Sequence, residues 1–358
     1  AGWEVIPLTP TRPRGMPEDP ALEARLPEGL RVRRVPHLDP GPLLRRLRRQ
    51  EPAAAAENVN SSESGRRRLA ALLVPDRLVT WMPHVVPAGL RAAREECADA
   101  VVSFGPHHSL HLHGQIIARL AGIPHVPFFG DLWLHDSYVI WPSSWCRRAA
   151  AFLERWTVQC ADGLAVTTRG AADYFRKRYG GACPPVHVVE NGYDPAIPLP
   201  DVPERTDGLF RVVFTGNFFA RQSPENILHG LALLLSRHPD APVRVRLVGS
   251  LDPQFLEMAR SLDLGEALEI TGTVPFHRVP EEQMAANLLL TSLCDIPGSE
   301  VKNSSKLAEY LRTGKPVLAL APEGDMTANV RRFDAGLVAK PSPEGFADAL
   351  ERALELWK

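Results

Sequence analysis

The stretch Gly298–Leu320 reads GSEVKNSSKLAEYLRTGKPVLAL and predicts a short helix followed by a buried strand. The residues at positions 303–305 are Asn-Ser-Ser, which are typical helix N-caps, and Gly314 suits the left-handed position that ends a helix. The apolar run Val317–Leu320 is typical of a parallel strand that is covered on both faces of its sheet. This unit therefore indicates an α/β protein.

The start of this predicted helix is a candidate anion site, because free backbone N–H groups and the helix dipole both favour negative charge there. Lys306 stands in the first turn, and Glu309 lies on the same face one turn along. Phosphate at the lysine and sugar hydroxyls at the carboxylate would suit a nucleotide-sugar. The alternative is a plain helix–strand unit in which Lys306 and Glu309 form a solvated ion pair.

The composition is that of an ordinary globular protein, with 44% hydrophobic and 23% charged residues. At 358 residues the chain is expected to form roughly two domains. A formal net charge of -1 gives no argument for nucleic-acid binding. No apolar run reaches the roughly 18 residues that a membrane-spanning helix needs. The chain begins AGWEVIPLTP, without Met, and ends after an amphipathic helix, so we expect that it is truncated at both ends.

The five cysteines are scattered and none lies in a C-x-x-C pair, so we expect neither a zinc site nor a disulfide framework. A reducing compartment fits this pattern, and we expect a cytoplasmic protein. His107, His108, His111 and His113 crowd one predicted turn and helix start, but no cysteine or carboxylate completes a metal site. We expect no metal or other cofactor. These histidines are expected to hydrogen-bond an acceptor or a phosphate, or else to cap and pack a helix.

Strand and helix patterns alternate twice along the chain, which predicts two doubly wound parallel sheets. The predicted strands are Trp3–Leu8, Ala100–Phe104, Pro124–Phe129, Gly163–Thr167, Val186–Glu190, Phe210–Thr215, Val243–Val248, Leu268–Thr271, Leu288–Leu293 and Val317–Leu320. The Pro-rich stretch from Pro195 to Asp207 is the best domain boundary. We assign residues 1–194 to a first domain, 195–208 to a linker and 209–358 to a second domain. Ligands of such sheets bind beyond the carboxyl ends of the strands.

Two basic segments precede the clear alternation, Leu43–Arg49 (LLRRLRR) and Arg66–Arg68. They are interpreted as solvated faces, and the alternative is a peripheral membrane surface that contacts anionic lipid.

Several separate segments together resemble the GT-B glycosyltransferases, and most of all the retaining, family-4 type of bacterial surface-polysaccharide assembly. The second half resembles the donor domain in FTGNFFARQSPENILHGLALL, RLVGS, ITGTVPFHRVPEEQMAANLLLTSL, SSKLAEYLRTGKPVLAL and AGLVAKPSPEGFADAL. The first half resembles the acceptor-side domain in PDRLVTWMPHVV, VVSFGPHHSLHLHGQIIARLAGIPHVPFFGDLW and VVENGYDP. The resemblance implies two Rossmann-like domains that face a cleft.

For the second domain, the resemblance implies a site for the nucleotide-sugar donor. The matching residues are Gly216, Asn217, Arg221, Gly249, Val274, Ser305, Lys306 and Glu309. Gly216 would let the backbone approach a pyrophosphate that a side chain would otherwise hit. Arg221, Ser305 and Lys306 match the phosphate side of the family's site. Gly249 would lie beside the nucleotide, the backbone at Val274 would hold the base, and Glu309 would bind the ribose hydroxyls.

For the first domain, the resemblance implies a site near the reacting sugar. Asp131 and nearby His135 are the candidate catalytic residues, and His107, His108 and His111 are the acceptor-side candidates. One departure concerns the donor sugar. Many family members carry two glutamates with seven residues between them, but Val301 stands eight positions before Glu309 and the nearest acid is Glu300.

We therefore expect a retaining, metal-independent glycosyltransferase that moves a sugar from a nucleotide-diphosphate-sugar to a glycan or lipid-linked acceptor. A GT-B-like protein that binds a nucleotide-sugar or glycan without transferring it is the alternative. A nucleotide-sugar 2-epimerase is a third hypothesis, although the helix–strand unit EYLRTGKPVLAL fits transferases better. The sequence names neither the donor sugar nor the acceptor.

Overall fold

The computed structural model describes residues 2–11, 25–37, 73–203, 206–218 and 222–357. The chain divides into two compact units. The first runs to Thr167 and includes Ala171–Val189, and the second consists of Thr168–Gly170 and the chain from Glu190 onward. The division at Glu190 falls shortly before the predicted linker, whose bounds stay a prediction.

The first unit is built on a four-stranded parallel sheet. Its strands are β3 (Val101–Phe104), β4 (His125–Phe129), β5 (Leu164–Val166) and β6 (Val186–Val188), in the order β3-β4-β5-β6. Its helices are α1 (Met82–Glu95), α2 (Ser109–Ala121), α3 (Ser144–Cys160) and α4 (Arg169–Tyr179). A separate parallel pair is formed by β1 (Leu8–Pro10) and β2 (Arg33–Val35).

The second unit is built on a six-stranded parallel sheet in the order β12-β11-β10-β7-β8-β9. The strands are β7 (Phe210–Thr215), β8 (Val243–Val248), β9 (Leu268–Gly272), β10 (Leu288–Ser292), β11 (Val317–Leu320) and β12 (Gly336–Ala339). The helices are α5 (Glu225–Arg237), α6 (Pro253–Ser261), α7 (Val279–Met284), α8 (Lys306–Thr313), α9 (Asp325–Arg332) and α10 (Pro343–Trp357).

The second sheet is covered on both faces, which explains its continuous apolar strands. Every residue of β7 is buried, and so is every residue of β11. Because successive side chains point to opposite faces, Phe214 joins one core cluster with Leu231 and Phe346, whereas Val213 joins the other with Tyr310. These two clusters hold the carboxyl ends of the strands rigidly in place.

Most predicted strands are confirmed, and those at Phe210–Thr215, Val243–Val248 and Val317–Leu320 have the predicted bounds. The predicted strand Trp3–Leu8 is wrong, because the ladder that forms there begins only at Leu8, where Arg33 pairs with it. Strands β2 and β12 were not predicted. The segments Leu43–Arg49 and Arg66–Arg68 and the residue Arg221 lie outside the described residues.

The described ranges contain no helix that is both long and apolar enough to span a membrane.

Candidate functional site

A cavity of about 370 Å³ lies at the carboxyl ends of β7, β8 and β9 in the second unit. Loops after all three strands, the start of α8 and one face of α7 contribute to its walls. The lining residues are Gly192, Thr215, Gly216, Asn217, Val248, Gly249, Thr273, Val274, Phe276, Val279, Gln283, Ser305, Lys306 and Glu309. This is the place where open parallel sheets bind their ligands.

Two glycines allow the loops after β7 and β8 to come together under Lys306. Gly216 and Gly249 both have φ of +143°, a backbone conformation that L side chains rarely adopt. A Cβ on Gly249 would lie 2.6 Å from the carbonyl carbon of Gly216, and a Cβ on Gly216 would lie 2.9 Å from Nζ of Lys306. The N–H groups of Gly216 and Gly249 already donate to the carbonyls of Val248 and Gly272, so these two residues form the cavity floor without offering free donors.

The same two loops are tied together by the side chain of Asn217. Its Oδ1 accepts a hydrogen bond of 2.9 Å from the backbone N–H of Ser250. The backbone adds a second link, because Phe218 N–H donates to the carbonyl of Ser250 at 2.9 Å. Asn217 therefore fixes the shape of the cavity floor, whatever further contact it makes with a ligand.

Lys306 places an ammonium group in the cavity wall, and no carboxylate of the described residues forms an ion pair with it. Among the described residues, Nζ contacts the ring of Phe214, whose centroid lies 5.0 Å away. Burial lowers the pKa of Lys306, since the charged form loses hydration that no carboxylate replaces. The solvated ion pair with Glu309 is not found among the described residues, so the ammonium of Lys306 is available to an anion.

Glu309 lies one turn along α8 from Lys306 and also lines the cavity. Burial raises the pKa of its carboxyl group, while Arg312 lowers it and Asp194 raises it. Within the described part of the chain its oxygens make no hydrogen bond. Arg312 instead holds the segment that follows Gly192, because its guanidinium donates to the carbonyls of Asp194 and Ile197.

Helix α8 is fixed to the sheet by the buried hydroxyl of Tyr310. This oxygen accepts a bond of 3.0 Å from the N–H of Thr215 and lies 3.1 Å from its Oγ1. Complete burial raises the pKa of Tyr310 to about 12, so the hydroxyl stays protonated. Gln283 Nε2 extends the group by approaching the same Oγ1 at 3.4 Å. These bonds set the height of Lys306 and Glu309 above the end of β7.

The start of α8 differs from the predicted one in one respect. Ser305 occupies the N-cap position, but its backbone is helical and its side chain makes no capping hydrogen bond. The predicted helix start is confirmed, but the Ser305 hydroxyl does not cap it, because a capping side chain needs an extended N-cap backbone. The predicted helix end at Gly314 is confirmed, with φ of +69°.

A second cavity of the same unit, of about 400 Å³, differs in its electrostatics. Its arginines are neutralised within the protein. Arg246 bonds both carboxylate oxygens of Glu282 at 2.7 and 2.9 Å, and Arg211 donates to Asp207 at 2.9 Å. The contrast with Lys306 identifies the first cavity as the better anion site.

The structure brings seven of the eight predicted donor residues into one cavity: Gly216, Asn217, Gly249, Val274, Ser305, Lys306 and Glu309. Arg221 lies outside the described residues. Sequence reasoning missed Gln283, Phe276 and Gly192. Gly192 stands in an Asn-Gly turn, which is a visible signal, whereas nothing in the sequence distinguishes Gln283 from other helix residues. The roles assigned to the donor residues stay predictions.

The acceptor-side histidines of the first unit enter its core to different depths. His111 is fully buried, and its Nδ1 lies 2.9 Å from Oγ of Ser103. The same Oγ lies 2.8 Å from Nε2 of His125, whose Nδ1 faces Oε1 of Gln115 at 2.9 Å. Burial lowers the pKa of His111 well below its usual range. Direct contact with an acceptor is therefore not open to His111 in this structure, which favours the packing alternative for this residue.

The other candidates of the first unit lie nearer the surface. His108 stacks on Trp133 with ring centroids 4.9 Å apart and is mostly buried, which lowers its pKa to about 4. His107 and Asp131 are half-buried, and His135 stacks on Tyr174 at 5.3 Å. Their catalytic and acceptor-side roles stay predictions. Within the described ranges, no group of three His, Cys, Asp or Glu side chains is placed to hold a metal ion.

The two parallel sheets and the cavity at the strand ends define a GT-B glycosyltransferase of the family-4 type. Residues 1–192 match the family model described as the Glycosyl transferase 4-like domain, and residues 210–356 match the model described as Glycosyl transferases group 1. The chain belongs to this glycosyltransferase family.

Two relatives are named as D-inositol 3-phosphate glycosyltransferases. The one from Catenulispora acidiphila is 26% identical over 291 residues, which are 74% of this chain and 68% of that protein. The one from Corynebacterium urealyticum is 26% identical over 213 residues, 56% of this chain and 50% of that protein. The matched part of this chain thus spans between half and about two thirds of these relatives.

Solved structures show the fold. Sucrose-phosphate synthase from Thermosynechococcus elongatus aligns with a TM-score of 0.67 at 16% identity, over 99% of this chain and 80% of that one. Anabaena Alr3699/HepE in complex with UDP and glucose aligns with a TM-score of 0.53 at 19% identity, over 75% and 71% of the two chains. Both likenesses agree with the GT-B architecture.

Proposed function

We propose that the cavity of the second unit binds a nucleotide-diphosphate-sugar and that the chain transfers the sugar to an acceptor with retention. The observation that carries this proposal is the ammonium of Lys306, which lies over two glycine loops and forms no ion pair with any described residue, although Glu309 lines the same cavity. A diphosphate supplies the missing negative charge. Glu309 lines the same cavity one helical turn away, and we assign it the hydrogen bonds from the ribose hydroxyls.

The proposed chemistry uses charge stabilisation. As the bond between the sugar and the diphosphate breaks, negative charge develops on the leaving phosphate, and Lys306 together with nearby backbone N–H groups stabilises it. Arg221 is expected to add a second positive charge from the loop after β7. This arrangement does the work that a bound metal ion does in other transferases, so we propose a metal-independent reaction without a cofactor. Retention would follow from attack on the face that the leaving phosphate occupies.

The acceptor is proposed to be a glycan or a lipid-linked sugar. Asp131 and His135 are the proposed catalytic residues of the first unit, and His107 and His108 in the turn after β3 are the proposed acceptor-side residues. The relatives are named for D-inositol 3-phosphate, and this compound is a useful second acceptor to test. A cytoplasmic location suits a reaction that consumes nucleotide-sugars.

The second candidate function is nucleotide-sugar binding without transfer. The missing first glutamate favours this candidate. Many family members carry a glutamate eight positions before the residue that matches Glu309, and this chain has Val301 there. Glu300 is directed to the local backbone, because its Oε2 accepts a bond of 2.7 Å from Gly298 N–H. Transfer of labelled sugar to an acceptor would exclude this candidate.

Two charge-removing variants test the donor site, Lys306→Gln and Glu309→Gln. Their matched controls are Lys340→Gln and Glu257→Gln, which change exposed residues outside the cavity. Binding of UDP, other nucleoside diphosphates and the corresponding sugars is followed by thermal shift and calorimetry, because a ligand of the folded state raises its apparent stability. Transfer is measured separately with each acceptor.

We expect Lys306→Gln to weaken diphosphate binding by about 10- to 100-fold, the worth of one charge-assisted hydrogen bond. Glu309→Gln should weaken nucleoside diphosphate binding but leave inorganic pyrophosphate unaffected, because the lost contact is to ribose. Both controls should bind like the unmodified chain. Unchanged affinity in both site variants would refute the assignment of this cavity.

A further inference from the structure

Helix α3 of the first unit presents an aromatic face to solvent. Trp145 is 61% exposed and Phe152 is 69% exposed, although large aromatic side chains are normally among the more buried residues. They are seven positions apart, which is nearly two full turns, so both project from the same side of the helix. Ile140, just before the helix, is 71% exposed. The proposed transfer reaction assigns no part to these exposed apolar groups.

Arginines lie beside this aromatic face. Arg148 and Arg155 are also seven positions apart and fall at helical spacings of three or four from Trp145 and Phe152. Arg147 is exposed as well. Within the described part of the chain, none of these three guanidinium groups makes an ion pair or a hydrogen bond. They are therefore free to meet an external anion.

The acidic residue of α3 is buried and does not offset the charge of these arginines at the surface. Glu154, the one acid between Ser144 and Cys160, is fully buried. Its oxygens accept bonds from the Leu134 N–H at 3.0 Å and from the Tyr179 hydroxyl. The charge that α3 shows to solvent is consequently positive, on a chain whose formal net charge is only -1.

The opposite face of α3 is anchored in the unit. Cys146, Ala150 and Val158 are buried at or below 1% exposure, and the Ser143 side chain caps the helix start by accepting from Cys146 N–H. A helix held this way presents its outer face as a preformed surface. Binding through this face needs no folding step.

We propose that α3 is a membrane-docking face that lies on an anionic lipid surface. Trp145, Phe152 and Ile140 would enter the boundary between headgroups and acyl chains, and the arginines would bind lipid phosphates. Aromatic side chains flanked by unpaired arginines suit this boundary, because they offer an apolar body and positive charge to the same layer. The proposal goes beyond sugar transfer and does not depend on the donor assignment.

Vesicle flotation tests this surface with the full chain. The probes are vesicles of phosphatidylcholine alone and of phosphatidylcholine mixed with phosphatidylglycerol. The variants are Arg148→Gln with Arg155→Gln, and Trp145→Ala with Phe152→Ala. Their controls are Arg260→Gln with Arg352→Gln, which removes the same charge elsewhere, and Leu356→Ala, which shortens another exposed apolar side chain. Thermal unfolding of each variant checks its fold.

We expect binding to the anionic vesicles that weakens with salt and falls about fivefold for each arginine removed, the worth of one charge near an anionic surface. The aromatic variant should lose binding at every salt concentration, and the controls should bind normally. Trp145→Phe should bind and lose part of the blue shift of tryptophan fluorescence that vesicles induce.

Three results would overturn the proposal: no binding to anionic vesicles, equal binding by the α3 variants and the controls, or concentration-dependent self-association that the aromatic variant abolishes. Binding of nucleoside diphosphates is measured in the same samples. It reports on the donor cavity alone, so failure of one proposal is distinguishable from failure of the other.

Discussion

The substitution Gly216→Ala would separate the two tasks of the glycine loop, which are to adopt its backbone conformation and to make room for Lys306. A Cβ at this position would lie 2.9 Å from Nζ of Lys306 and still closer to its Cε. The obstacle is the far end of a flexible side chain, so the chain can still fold with Lys306 moved aside. The ammonium must retreat by roughly 1 Å or more to restore an ordinary contact.

The expected effects follow from these two tasks. The backbone at φ of +143° costs an alanine about 1–3 kcal/mol of the free energy of unfolding. The displaced ammonium loses a charge-assisted bond to phosphate worth about 2 kcal/mol, which is about thirtyfold in the dissociation constant of the diphosphate. Thermal unfolding measures the first effect, and calorimetric titration with a nucleoside diphosphate measures the second.

Gly314→Ala is the matched control. Gly314 also has a positive φ, of +69°, but a Cβ there meets nothing within 4 Å. We expect a stability loss of about 1–2 kcal/mol for the left-handed backbone and unchanged diphosphate affinity. If Gly216→Ala binds the diphosphate as tightly as Gly314→Ala does, Lys306 does not hold the phosphate and the reasoning is refuted.

Two further perturbations test the framework of the units. Acidification from pH 7 to pH 5 should destabilise the first unit, because burial lowers the pKa of His108, His113 and His125 to about 4 and the unfolded chain then binds more protons. Each histidine lowers the free energy of unfolding of this unit by about 2 kcal/mol at pH 5 relative to neutral pH. The free energy of unfolding therefore falls as the pH falls from 6.5 to 4. A pH-independent unfolding transition in this range would contradict the burial argument. Tyr310→Phe should lower the free energy of unfolding of the second unit by about 1–3 kcal/mol, because the Thr215 N–H loses its buried partner. Tyr193→Phe, at an exposed position, is the control, and equal effects of the two substitutions in thermal unfolding would show that the anchor is unimportant.

The alternation of apolar strands with amphipathic helices was enough to predict most of the sheet elements. Val317–Leu320 and Phe210–Thr215 are buried on both faces, so local hydrophobicity alone marks them. Gly216, Gly249 and Lys306 could be selected from the sequence because they match motifs that the family uses near phosphate at strand ends.

Features that depend on residues far apart in the chain could not be predicted from the sequence. Strand β1 exists because β2, more than 20 residues later, pairs with it. Strand β12 is only half-buried and begins at Gly336, where a Cβ would lie 2.7 Å from the backbone nitrogen of Val317. The partner of His111 likewise could not be predicted from the helix alone, because Ser103, whose Oγ lies 2.9 Å from Nδ1 of His111, belongs to β3.

The grip of Arg312 on the carbonyls of Asp194 and Ile197 gives α8 a mechanical property. This helix has eight residues and is about 12 Å long. Lys306 stands at its first residue and Arg312 near its last. Because Tyr310 fixes this helix to the end of β7, the helix carries the connecting segment at a set distance from Lys306.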